Sequence, residues 1–260
     1  MKTGIMTWFT YHNYGTALQV TALTEKIRSL KHEAVVINYD PMPKQIQYQT
    51  RRAKIKREGL IKFVVFRVWR RLKNFVLRRN YTGYSSAERE NRFNEFLSEN
   101  ISITGKCNTP EELAKAAESL DAVVCGSDQI WSPLCFDSHY YLDFVRDRAK
   151  KLAYAPSIDT NHVRNDKVKK QIIDLAGDFE FISVREKKSA EILSQWLNKN
   201  VKAVLDPALL LKADEWEKHI PDHISKYTHG GGGIVWFTCL AKMKSTGEKF
   251  TALLNVWGLR

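Results

Sequence analysis

The sequence predicts a fold of the α/β class, with a mostly parallel sheet covered by helices on both faces. Short apolar runs alternate with amphipathic stretches of helical length along most of the chain. Polar blocks follow several of the apolar runs, as happens where strands end at the edge of a sheet. This alternation is typical of β-α-β units, whose strands are parallel and buried under helices on both sides.

The chain opens with one β-α-β unit. Residues 2–9 form the first predicted strand, and residues 34–38 form a second short apolar run. The helix between them is predicted to begin at Thr16, with apolar residues spaced for one buried face: Val20, Leu23, Ile27 and Leu30. A right-handed crossover places the loop before this helix at the carboxyl edge of the sheet.

Residues 44–100 interrupt the alternation and are predicted to be a basic helical insertion. Seven apolar residues share one helical face: Ile61, Val64, Val65, Val68, Leu72, Phe75 and Val76. Between Arg51 and Arg79 there are twelve Lys or Arg against the single Glu58, in a chain of net charge +12. A helix packed on the domain with solvated charges is the favoured interpretation, and a helix lying on an anionic membrane surface is the alternative. We expect no nucleic-acid binding, because the charge comes without a reading motif.

Beyond Pro110 the alternation of helices and strands resumes. The predicted elements are a helix at 111–119, strands at 121–125 and 151–155, a helix at 165–176, a strand at 179–184, a helix at 187–198 and a strand at 201–205. Residues 1–216 are therefore predicted to form one domain.

Residues 217–260 are predicted to be a linker and a truncated or frame-altered tail. The glycine run at 230–233 is followed by sequence without convincing periodicity and by no second α/β series. We expect a change of reading frame near this run, which would leave residues from about His229 as unselected sequence. A glycine-rich linker is the alternative interpretation.

Four polar blocks each follow a predicted strand or strand-like run. They are Asn13-Tyr14-Gly15, Gly126-Ser127-Asp128-Gln129-Ile130-Trp131, Ser183-Val184-Arg185-Glu186 and Asp206-Pro207. The carboxyl ends of parallel strands meet at one edge, where open α/β sheets bind small molecules. Turn formation and helix capping are the ordinary alternative for such residues.

Taken in order, these blocks resemble those of the polysaccharide pyruvyl transferase family, and the resemblance runs from about Met1 to about Trp216. It implies a Rossmann-like domain in residues 1–216, the N-terminal half of a GT-B-like architecture whose C-terminal domain is apparently missing. It also implies transfer of a pyruvyl group from phosphoenolpyruvate to sugar hydroxyls of a cell-surface polysaccharide or its precursor. The family's remaining donor-site groups, including a catalytic histidine, belong to that second domain, so we expect this chain to lack them.

The chemistry implied by the resemblance requires an anion clamp, an acid and a base. Arg185 is the predicted clamp and Asp128 the predicted base or orienting group, with an ion pair for Arg185 and a helix cap for Asp128 as alternatives. The predicted substrate-binding residues are Asn13, Tyr14, Gly15, Gly126, Ser127, Gln129, Trp131 and Ser183. A core position is the alternative for Trp131, and His139 is expected to be structural.

We expect no cofactor, with phosphoenolpyruvate as donor substrate, and no metal, because no cluster of His, Cys or carboxylates has ligand spacing. The expected partners are phosphoenolpyruvate, a saccharide or lipid-linked saccharide, and an anionic membrane contacted through residues 51–79. The expected location is cytoplasmic, at the inner face of the cell membrane. Two alternatives stay open: a GT-B-type glycosyltransferase that uses a nucleotide sugar, and a non-catalytic remnant at the membrane surface.

Overall fold

A computed structural model describes residues 1–10, 13–39, 86–146, 148–163 and 166–219. Its strands are β1 (Lys2–Met6), β2 (Glu33–Tyr39), β3 (Ile103–Cys107), β4 (Ala122–Cys125), β5 (Lys150–Ala153), β6 (Phe181–Val184) and β7 (Lys202–Ala203). They form a seven-stranded sheet in the order β3-β2-β1-β4-β5-β6-β7. Every neighbouring pair is parallel, which confirms the predicted α/β fold.

The helices within the described ranges are α1 (Tyr14–Ser29), α2 (Ser86–Asn100), α3 (Pro110–Ala117), α4 (Asp166–Ala176), α5 (Lys187–Leu197) and α6 (Ala213–Glu217). Short 3-10 turns occupy Gln129–Trp131, Pro133–Cys135, Ser138–Tyr141, Thr160–His162 and Pro207–Leu209. None of these helices is long and apolar enough to cross a lipid bilayer.

Helices cover both faces of the sheet because neighbouring residues of each strand point in opposite directions. In β1, Ile5 packs with the apolar residues of α1 and α2, whereas Met6 packs on the other face with those of α3, α4 and α5. Val36 and Ile37 divide in the same way in β2. Two apolar layers therefore enclose the sheet.

The structure corrects the prediction for two elements. The helix Ser86–Asn100 was assigned to an insertion, but it covers the sheet, and its Phe93 and Leu97 are buried beside α1. The edge strand β3 was not predicted. Its residues Ile103 and Lys106 are exposed and it contains Gly105, so the strand lacks an apolar pattern. Residues 40–85, which include the basic segment 51–79, lie outside the described residues.

The strand order positions the candidate site. From β1 the chain proceeds outward through β2 to β3 and then returns to β4 on the other side of β1. The order therefore reverses between β1 and β4, the kind of position at which open α/β sheets leave a crevice.

The chain divides into two compact units, residues 1–210 and residues 211–260. The first contains the whole sheet, and the second contains α6. The predicted frame change at about His229 lies outside the described residues.

Candidate active site

The site is built where β4, β5, β6 and β7 end, next to the reversal of strand order. Ser127 follows β4, Arg185 follows β6 and Asp206 follows β7. Ser127 Oγ lies 3.1 Å from Asp206 Oδ2, and Arg185 Nη1 donates to the same oxygen at 3.1 Å. The structure thus brings together three of the four polar blocks that the sequence singled out.

The fourth block, Asn13 to Gly15, forms the start of α1. Asn13 Oδ1 caps the helix by accepting a hydrogen bond from the Gly15 amide at 2.8 Å. Gly15 was predicted to bind substrate, but its amide is occupied by this cap. All three residues are exposed, and the Tyr14 ring packs against Phe93 with its centroid 4.9 Å away.

Gln19 joins α1 to the strand ends. Its side chain is 3% exposed, and its Oε1 accepts a hydrogen bond from the Ser127 amide at 3.0 Å. Its Nε2 donates to Thr7 Oγ1 at 3.0 Å and to the Trp8 carbonyl at 3.2 Å, both just beyond β1. The sequence analysis missed Gln19. The sequence feature that could have identified Gln19 is its position one helical turn before Leu23, which places a polar side chain on the buried face of α1.

Gly126 is required by the packing of the backbone. Its φ of +126° is a conformation that L side chains rarely adopt, and an added Cβ would lie 2.0 Å from the Tyr154 carbonyl oxygen. The peptide bond from Gly126 to Ser127 is cis. Gly126 was predicted to bind substrate, but the backbone at Tyr154, just after β5, occupies the space beside it.

The structure also corrects the predicted binding roles of two serines. Ser127 and Ser183 are both fully buried. The Ser183 hydroxyl donates to the Ala153 carbonyl at 3.0 Å, and the Ser127 hydroxyl lies 3.0 Å from the Ala155 carbonyl as well as near Asp206. Both hydroxyls therefore join strand ends inside the protein and are inaccessible to a substrate.

Trp131 occupies the core, the alternative that the sequence left open. It is fully buried, and its indole is stacked on Tyr141 with ring centroids 4.7 Å apart and an angle of 9° between the planes. Its Nε1 donates to the Tyr140 carbonyl at 2.9 Å. Neither face of the ring is accessible to a sugar, so the predicted stacking role is wrong.

Arg185 is paired with two acids. Nη1 binds Asp206, and Nε lies 3.5 Å from Glu186 Oε1, which also accepts a hydrogen bond from Ser157 Oγ. The ion pair was the alternative to an anion clamp for this residue. The side chain is 33% exposed, and Nη2 binds none of the described residues, so one edge of the guanidinium is open to solvent.

Asp128 combines a cap with an accessible oxygen. Its Oδ1 accepts a hydrogen bond from the Gln129 amide at 2.7 Å, which is the capping alternative. Its Oδ2 accepts no hydrogen bond from the described residues, and the side chain is only partly buried. Burial raises the pKa of this carboxyl, the nearby Arg185 opposes the rise, and Asp206 adds to it. Gln129 is exposed beside it.

The polysaccharide pyruvyl transferase family model matches residues 13–240. The chain belongs to the polysaccharide pyruvyl transferase family. The match begins at Asn13 and extends past Trp216, where the sequence resemblance was expected to end. No curated protein and no solved structure is significantly similar to the chain. Membership makes the protein a transferase of polysaccharide biosynthesis and indicates a saccharide as the acceptor.

Among the described residues around Arg185, the charged groups at the carboxyl edge are mostly acidic. The Arg185 guanidinium is surrounded by the carboxyl groups of Asp128, Glu186 and Asp206. Of these three carboxyl groups, Asp128 has an oxygen that accepts no hydrogen bond from the described residues, and a sugar hydroxyl can donate to such an oxygen. Within the described part of this edge, the open edge of the guanidinium is the group that suits an anionic ligand.

Proposed function

We propose that the protein transfers a pyruvyl group from phosphoenolpyruvate to two hydroxyls of a sugar in a cell-surface polysaccharide or its precursor, forming a cyclic ketal. The observation that carries the proposal is the position of Arg185 and Asp128. An accessible guanidinium edge and an accessible carboxyl oxygen lie close together at the sheet edge of a family member. The first suits an anionic donor and the second a sugar hydroxyl.

The reaction needs a proton donor, a proton acceptor and an anion-binding group. The methylene carbon of phosphoenolpyruvate takes up a proton, and the first sugar oxygen bonds to the neighbouring carbon. The bond from that carbon to the phosphate oxygen breaks, and the second sugar oxygen takes its place. Of the two hydroxyl protons, one balances the proton taken up by the new methyl group and the other leaves with phosphate.

Each residue then has one role. Asp128 accepts the proton of the attacking hydroxyl through Oδ2, and its raised pKa makes the carboxylate a better proton acceptor. Arg185 binds the donor's carboxylate or phosphate through the open edge of its guanidinium. Gln129, exposed beside Asp128, donates to an acceptor oxygen. No cofactor takes part in this scheme.

The substitution Arg185→Lys tests the proposal, because it keeps the charge and removes the planar pair of donors. We expect the affinity for phosphoenolpyruvate, measured by thermal shift, to fall about tenfold to a hundredfold. The matched control is Arg28→Lys, since Arg28 also pairs with a carboxylate, Glu25, but lies in the last turn of α1. Phosphate release with a sugar acceptor should fall in parallel.

Three experimental outcomes would contradict the proposal. Unchanged donor binding and turnover in Arg185→Lys would refute the clamp. Stabilisation by a sugar nucleotide and none by phosphoenolpyruvate would favour a GT-B-type glycosyltransferase. Binding of neither donor, together with association with liposomes, would favour a non-catalytic protein at the membrane surface.

We also propose that the basic segment 51–79 holds the protein at the anionic inner face of the cell membrane. The support is its charge of about +11, twelve cationic residues against one acidic residue, in a chain of net charge +12. Cosedimentation with anionic liposomes and loss of it at high salt are expected. Equal recovery with neutral and anionic liposomes would overturn the proposal.

A further inference from the structure

A second cluster of polar side chains lies at the carboxyl edge, away from Arg185. His139 Nδ1 is 2.7 Å from Asp143 Oδ1, and Tyr39, the last residue of β2, donates its hydroxyl to Asp137 Oδ2 at 2.8 Å. The Tyr39 ring lies edge-on to the His139 ring, with centroids 5.4 Å apart. These four residues, which we call the His139 cluster, have no role in the proposed chemistry.

The hydrogen bonds of the cluster fix the imidazole and leave one of its nitrogens available. Asp137 accepts from the His139 amide at 3.0 Å and caps the 3-10 turn Ser138–Tyr141. Asp143 occupies Nδ1, so the remaining ring nitrogen is Nε2, which binds nothing within the described part of the chain. The His139 side chain is 22% exposed. The turn thus presents a pre-oriented imidazole nitrogen to solvent.

The charge of the cluster determines which ligands it can bind. Asp137 and Asp143 flank one imidazole, and the hydrogen bond from Asp143, opposed by burial, raises the pKa of His139. With His139 protonated the four residues have one net negative charge, which the nearby Lys151 offsets, so the cluster offers no net positive charge to a phosphate or carboxylate ligand. Neutral hydroxyl groups of a ligand suit the carboxylates and the imidazole better. A hydroxyl can donate to a carboxylate oxygen, and it can bind His139 Nε2 whether the imidazole is neutral or protonated.

The position of the cluster relates it to the proposed acceptor. β2 and β4, the strand that precedes Asp128, are separated by β1 and therefore by two strand spacings. At about 4.8 Å for each spacing, the lateral separation is about 10 Å. Packing is continuous between the two places. The Tyr39 ring contacts Tyr140, Tyr140 contacts the Trp8 ring, and the Trp8 carbonyl binds Gln19. A lateral separation of two strand spacings is longer than one sugar residue and within the length of a short saccharide.

We propose that the His139 cluster is a binding subsite for a neutral sugar residue of the acceptor, distant from the sugar that receives the pyruvyl group. This inference rests on the proposed function only in taking a saccharide as acceptor. His139 binds a hydroxyl through Nε2, and Asp143 positions the imidazole. The subsite makes acceptor binding depend on the length of the saccharide.

Side-chain NMR of the full chain with labelled histidines tests the subsite without turnover. The probes are neutral trisaccharides (maltotriose, cellotriose and mannotriose) at about 10 mM, which saturates a site with a Kd of about 1 mM. We expect at least one probe to shift the His139 signals and its monosaccharide methyl glycoside to shift them far less. His32 is the internal control, because it precedes β2 and lies about 20 Å away, at the opposite end of that strand.

Two variants separate binding from folding. Asp143→Ala removes the hydrogen-bond partner of Nδ1 and frees the imidazole, so trisaccharide binding should weaken about tenfold while the spectrum stays that of the folded protein. His139→Gln should abolish the length dependence, and His32→Gln should leave it intact. No shift with any probe, or equal binding by Asp143→Ala and wild type, would overturn the subsite. Donor binding at Arg185 is unaffected by either result, so the two proposals fail independently.

Discussion

The inner and outer residues of the carboxyl edge differ in what their polar groups bind. The inner residues, Gly126, Ser127 and Ser183, are buried. The hydroxyl groups of the two serines form hydrogen bonds with neighbouring strand ends. The outer residues, Asp128 and Arg185, keep an oxygen and a guanidinium edge in contact with solvent. Ser127 and Asp128 are adjacent in the chain. One motif therefore contains both a buried serine that joins strand ends and a carboxyl group with an available oxygen, and the two should respond differently to substitution.

The largest loss of stability is expected for Gly126→Ala in the inner part. The new Cβ would meet the Tyr154 backbone oxygen at 2.0 Å in a conformation with φ of +126°, and neither can move without shifting a strand end. We expect the free energy of unfolding to fall by about 2–4 kcal/mol, measured by denaturant titration. Gly105→Ala is the matched control, because its Cβ would meet nothing within 4 Å. Equal stability of the two variants would contradict the packing described for Gly126.

A smaller loss is expected for Ser127→Ala. The substitution leaves the Ala155 carbonyl without this donor and removes the link to Asp206, at a cost of about 1–2 kcal/mol. Ser98→Ala serves as control, since its hydroxyl also donates to a carbonyl, that of Glu95, but is exposed. If Ser127→Ala were as stable as wild type but inactive, the hydroxyl would act on substrate and its assignment to the inner part would be wrong.

The smallest change, with the opposite sign, is expected for Asp128→Asn in the outer part. Because the pKa of Asp128 is raised in the folded protein, its carboxyl group keeps its proton at a pH where the same group in the unfolded chain has lost it. The stabilisation from the protonated carboxyl is complete at acid pH and is lost as pH rises through the folded-state pKa. The neutral amide avoids this loss, so the variant should gain less than about 1 kcal/mol near pH 7 and nothing below about pH 4.

Activity should change far more than stability in Asp128→Asn. Loss of the base should reduce turnover by about a hundredfold or more, while the melting temperature stays equal or rises. Asp121→Asn is the control, because Asp121 is exposed and its removal relieves no buried charge. A loss of stability that parallels the loss of turnover would assign Asp128 to the scaffold instead.

The order of most elements and the convergence of the polar blocks could be predicted from the sequence. Both follow from local periodicity and from the rule that parallel strands end at one edge. The direction of each side chain could not be predicted. Whether Ser127 or Asp128 faces solvent depends on the backbone after β4 and on the Gln19 side chain, 108 residues away from Ser127 in the chain.

The two missed features have physical causes as well. The strand β3 lies at the sheet edge and is exposed along much of its length, so burial imposes no apolar pattern on it. The residue type alone does not show whether Trp131 stacks on a sugar or on Tyr141, because a tryptophan suits both roles. Its position in the core is set by the turn Ser138–Tyr141, which places Tyr141 against the indole.

The hydrogen bonds of Gln19 also constrain the order in which the protein can be assembled. Their partners come from residues just after the first strand and from Ser127, about half the chain later, so the contact closes a long loop. The first β-α-β unit can form from local contacts while the chain is still being synthesised, but the edge beside Asp128 cannot exist until β4 has paired with β1. The proposed substrate-binding edge therefore forms late in folding, and a fragment that ends before Ser127 would lack it.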